Sequence, residues 1–205
     1  MKLLNMLVVL GFVGVMAMPC DAAIGTATIK ATKEGSQIVG SVSMMETIDG
    51  LQVEVSIANV PPGKHGLHFH EKGDCSDEGK AAGGHFNPES TPHGFLPKDG
   101  MQHAHGGDMG NIDVGPDGTG KLSIFLKGIY LAAKDPKVAG LSVVLHEKED
   151  DFGQPTGNAG GRIGCGIIML EDENSYSAEA SDEAVDSDHQ KLTSGSADVN
   201  EVMHD

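Results

Sequence analysis

The sequence predicts an all-β protein, an antiparallel barrel or sandwich of eight strands carrying long loops, and three observations predict it. Eight short segments rich in β-branched residues are separated by glycine and proline turns. No stretch sustains the 3.6-residue apolar period of a long helix. No tandem repeat turns the series into a solenoid. The 205 residues suit one domain of ordinary size with appendages, which residues 24–170 supply.

In chain order, "TATIKAT" (26–32) and "QIVGSVSM" (37–44) flank the turn "KEGS", a hairpin pattern. "LQVEVSIANV" (51–60) alternates apolar and polar residues and stops at Pro61-Pro62-Gly63. "HGLHFHE" (65–71) comes next. The stretch from Gly73 to Gly107 then holds eight glycines and little periodicity, and a loop of that length inside a compact domain reads as either functional or disordered. Strand signals resume in "MGNIDV" (109–114), "GKLSIFL" (120–126), "GLSVVLHE" (140–147) and "GCGIIML" (164–170).

The flanks read differently. Residues 1–23 have one lysine, an apolar run from Leu3 to Met18 and small residues at Ala22 and Ala23, the pattern of a secretory signal peptide. The run is shorter than the roughly 18–20 apolar residues of a membrane span, so none is expected in the mature chain. The expected localisation is secreted or periplasmic. Lipid anchoring through Cys20 is the lesser alternative, because Met18 and Pro19 suit that processing poorly. Residues 171–205 hold eleven acids and one lysine, −10 of the formal −16, and read as an acidic disordered tail. This negative balance argues against a nucleic-acid partner. Export makes a disulfide admissible, and setting Cys20 aside leaves Cys75 and Cys165 as one pair or as two buried thiols.

The histidines carry the chemistry. In a strand, His68 and His70 point the same way about 7 Å apart, close enough to share one metal. The long loop adds His85 in "GGHFNP", His93 in "TPHGF" and the pair His105 and Asp108 in "HGGDMGN". His146 ends the strand "LSVVLH". Imidazole suits Zn, Cu, Fe and Ni rather than Ca or Mg. Six histidines and an aspartate exceed what one metal takes. They divide into His68, His70 and His146 from strands, and His93, His105 and Asp108 from the loop, with His85 placed to bridge.

Over residues 24–170 the order and spacing resemble the copper/zinc superoxide dismutases. The resemblance rests on "HGLHFHEKGDC", "GGHFNP", "HGGDMGN", "VVLHEKEDD" and "TGNAGGRIGCGII". It implies an eight-stranded antiparallel Greek-key barrel with long metal-binding loops. The implied copper ligands are His68, His70, His85 and His146, and the implied zinc ligands are His85, His93, His105 and Asp108. Asp150 then joins a copper histidine to a zinc histidine, and Arg162 attracts the anion. Thr156 lines the same channel, and Cys75 pairs with Cys165. The implied activity is conversion of two superoxide anions and two protons to dioxygen and hydrogen peroxide. His85 and Arg162 are the catalytic residues, with one copper and one zinc per chain. A copper-binding or delivery module without catalysis, on the same fold, is the alternative. A zinc hydrolase would leave four of the seven donors without a task. Homodimers are common in the family, and the sequence leaves monomer and dimer open. His65 is expected to brace the loop from inside the barrel, and His103 to stand outside the ligand set. Between Asp150 and Arg162 the chain is short and lacks the charged residues of many family members, so charge steering by that segment is not implied.

Overall fold

A computed structural model describes residues 22–171. The expectations for the leader and the acidic tail lie outside the described residues. Among the described residues nine strands follow one another: β1 (Ile24–Ala31), β2 (Val39–Glu46), β3 (Gly50–Ala58), β4 (Gly63–His70), β5 (Asp108–Val114), β6 (Gly120–Lys127), β7 (Ser142–His146), β8 (Arg162–Ile167) and β9 (Met169–Leu170). All eight predicted strands form. The last is split at the buried Ile168, so β8 and β9 are two parts of one course along β1. Among the described residues helix is confined to a 3-10 turn at Lys80–Ala82 and the four-residue α1 (Leu96–Asp99), both inside the glycine-rich loop.

Hydrogen-bonded neighbours run β2-β3-β6-β5-β4-β7-β8-β1, and β1 pairs back onto β2 from Ile24↔Met45 to Lys30↔Val39. That last pairing closes the sheet into an eight-course antiparallel barrel and removes the free edges of an open sheet. The sequence expectation of barrel or sandwich is thereby settled as a barrel.

Alternation fills the interior. Leu51, Val53, Val55 and Ile57 of β3 are buried while Glu54 and Ser56 are exposed. Each such fully buried aliphatic side chain stabilises the fold by about 1.5–3 kcal/mol. In β4, Leu67 and Phe69 join this core, which turns His68 and His70 to the outer face. In β7, Val143 and Leu145 point inward and leave His146 outside. Irregularities in register lie between Gly66 and His68, and between Leu145 and His146. Such bulges re-aim side chains, and both occur where the strands deliver histidines. The histidines face away from the core yet are buried, because residues 71–107 and 147–161 cover them.

Candidate metal centre

Seven side chains meet on this outer face beneath the two loops. The donor atoms of His68, His70, His85 and His146 lie within 4.8 Å of one another, and so do those of His85, His93, His105 and Asp108. Every one of these residues is buried, and His85 belongs to both groups.

Outer partners decide which ring atom each histidine offers. His70 donates Nδ1–H to the Gly83 carbonyl at 3.0 Å, and His146 Nδ1 lies 3.5 Å from that of Gly160. Their Nε2 atoms therefore face each other, 3.3 Å apart, as lone pairs. His68 donates Nε2–H to Asp150 Oδ2 at 2.7 Å, which leaves its buried Nδ1 without a hydrogen-bond partner among the described residues. An orphaned buried nitrogen and two opposed lone pairs are costly unless a cation lies among them. His85 completes this set, its ring centroid 4.0 Å from that of His68.

In the second group His85 Nδ1 sits 2.9 Å from Asp108 Oδ1, His93 Nδ1 2.9 Å from Oδ2 and His105 Nδ1 3.2 Å from Oδ1. Three imidazole nitrogens thus converge on one fully buried carboxylate. Asp108 is held in turn by the backbone N–H groups of Gly94 and His105. Three nitrogens and an oxygen suit zinc or a similar ion, and four nitrogens suit copper or zinc.

The electrostatics of the two groups differ. Burial pushes His70, His146 and His85 down to about 2, 3 and 4, so all three rings are neutral and ready to ligate near pH 7. Burial also opposes charge on His93, but Asp108 and Asp150 outweigh it and raise this ring to about 9. Burial disfavours the anionic forms of Asp108 and Asp150, yet donors from the surrounding histidines hold both carboxyls well below the usual range.

Asp150 joins the groups, since it accepts from His68 Nε2 and from His93 Nε2 at 2.9 Å. Its place in "KEDD" reads as a surface charge by residues alone, whereas it is 1% exposed. Asn111 grips its backbone, accepting from Asp150 N–H at 2.7 Å and donating to its carbonyl at 2.9 Å. This clamp was not foreseen from sequence. Its signal was the polar residue ending "HGGDMGN".

The remaining expected residues fall out as follows. Arg162 pairs with His146 in the β7–β8 register and donates to the carbonyls of Gly79 and Gly83. It also lines a cavity of about 230 Å³ with Lys33, Glu78, Lys80, Gly160 and Gly161. Thr156 is exposed on the turn 154–158 and is not among the residues lining that cavity. Cys75 and Cys165 form a disulfide that packs with Ala82 and Val144 and ties the loop to β8. His65 is buried, its ring nitrogens each 2.9 Å from a carbonyl, those of His146 and Pro61. His103 is exposed and outside both groups.

Comparison with known proteins agrees with this geometry. The sequence profile of copper/zinc superoxide dismutase matches residues 25–168. A solved structure described as the clock protein EA4 shares 36% identity and superposes with a TM-score of 0.64, covering 73% of this chain and 96% of that one. A match across most of the chain, with both donor groups assembled in the fold, establishes that it belongs to the copper/zinc superoxide dismutase family.

Proposed function

We propose that the protein converts two superoxide anions and two protons to dioxygen and hydrogen peroxide. Copper is held by His68, His70, His85 and His146, and zinc by His85, His93, His105 and Asp108. The observation that carries this reading is the presence of His85 in both donor groups. Copper supplies the reversible one-electron change when bound.

The chain's own residues do the rest. Asp108 commits His85 Nδ1 to the second group, leaving Nε2 as the atom that takes up a proton and passes it to the product. The lowered pKa of this ring keeps Nε2 available near neutral pH. Arg162, half-buried at the cavity beside Lys33 and Lys80, binds and orients the anion. Residues 24–170 carry 18 acids against 12 lysines and arginines, so the attraction is local and works by focusing within a cleft. Thr156 is assigned to the outer part of the approach on the family pattern alone. The disulfide fits an oxidising compartment, which accords with export of the chain.

A second reading, metal binding without turnover, draws on the neighbour described as a clock protein. Superoxide consumption measured on the purified protein, with copper and zinc quantified in the same sample and His85→Ala as control, separates the two. Activity with about one of each metal, lost in the variant, is expected. Both metals bound with no activity would overturn catalysis in favour of the second reading.

A further inference from the structure

We infer that Gln154 is a positioning residue for His93, and through it for the second donor group, an inference that rests on the two-metal reading above. His93 lies in irregular chain between Pro92 and Gly94. Its N–H donates to Gln154 Oε1 at 3.0 Å, and its carbonyl accepts from Gln154 Nε2 at 2.8 Å. One side-chain amide therefore closes both backbone bonds of His93, as a neighbouring strand would.

The other three donors have anchors of their own. His85 forms an isolated β-bridge with His70. His105 donates its backbone N–H to Asp108, and Asp108 begins β5. Among the described residues the backbone of His93 is held by Gln154 alone. The ring it delivers must meet two carboxylates at once, Asp108 Oδ2 at Nδ1 and Asp150 Oδ1 at Nε2, both at 2.9 Å. A small rotation of the backbone would break both contacts.

The same short segment confines the ring elsewhere. Phe152 stacks near it, with centroids 6.4 Å apart and planes 20° from parallel. At Gly157, with φ of +78°, a Cβ would fall 2.6 Å from His93 Nε2. Only glycine lets the turn come that close. Residues 152–157 thus form a cradle, and Gln154 is its hydrogen-bonding member. A ligand held in its bound geometry beforehand loses less freedom when metal arrives.

The test uses the metal-loaded full chain with Gln154→Ala and Gln154→Met, the second keeping side-chain length without the two bonds. Zinc release to a coloured chelator and copper retention are followed in the same samples. The ligand-field absorption of cobalt placed in the second group reports its geometry, and the melting temperature of the metal-free protein reports the fold. Both variants are expected to release zinc about tenfold faster, the low end for outer partners of metal ligands, with an altered cobalt spectrum and unchanged copper retention. Zinc release from Gln154→Met at the wild-type rate would overturn the inference, as would equal acceleration of copper and zinc loss with a lowered melting temperature. Wild-type protein that takes up no second metal would instead overturn the two-metal reading, and this inference with it.

Discussion

The imidazole of His70 and the guanidinium of Arg162 donate to the same carbonyl oxygen, that of Gly83. The group proposed to hold the anion and a group proposed to hold copper are therefore fixed by one atom of the glycine-rich loop. Arg162→Glu is expected to cut superoxide consumption by about a hundredfold while copper and zinc contents stay at wild-type levels. Arg162→Lys retains the charge but not the fork that reaches two carbonyls, and should fall between. Rates by pulse radiolysis, with metal analysis alongside, check both. An unchanged rate in Arg162→Glu would remove this side chain from the mechanism.

Asp150 reaches one histidine of each donor group, so its loss should register at both. Asp150→Ala is expected to weaken retention of each metal by about 10- to 100-fold, measured by competition with chelators of known affinity. A variant that loosens one metal alone would show that the bridge is not shared in energetic terms.

The bond between Cys75 and Cys165 closes a loop spanning 90 positions. In the chain-entropy account it stabilises the fold by about 4.6 kcal/mol. It also fastens the loop whose Gly83 orients His70. Cys75→Ser with Cys165→Ser should therefore lower the melting temperature and speed metal loss, read by calorimetry and chelator release. An unchanged melting temperature would contradict this.

Metal-free protein should be most stable near pH 6.5. His70, His146 and His85 take up protons in the fold only at about 2, 3 and 4, against 6.5 in the unfolded chain. As pH falls below about 6.5 the unfolded chain binds those protons first, so stability declines toward pH 4. His93 runs the other way: raised to about 9, it contributes fully below about 6.5, and that contribution is lost as pH rises through 9. Three rings act on the acid side against one on the alkaline side, so the acid slope should be steeper. Scanning calorimetry after chelation measures it, and a melting temperature that climbs from pH 6.5 to 4 would refute the assignment.

Strand alternation made the barrel legible, since Leu51, Val53, Val55 and Ile57 mark an inward face without reference to any neighbour. The same logic put His68 and His70 on one face, and the close spacing of His105 and Asp108 exposed a second donor pair. Helix α1 escaped notice because four residues are too few to show a period. Asn111 and Gln154 escaped because they act through backbone bonds to residues 39 and 61 positions away. Contacts that reach an irregular loop, from β5 in one case and from a second loop in the other, leave no periodic trace. Gly83 was invisible for another reason: its contribution is a carbonyl, which every residue possesses.

His70 and His146 oppose their Nε2 atoms across 3.3 Å although 76 positions separate them in the chain. They come from adjacent courses of the barrel wall, β4 and β7. The unfolded polypeptide consequently has no pocket to offer, and capture of an ion must follow, rather than seed, closure of the barrel. An occupant would then slow the opening of the wall more than it hastens its assembly. Resistance to slow inactivation, rather than speed of folding, is what filling the site would confer.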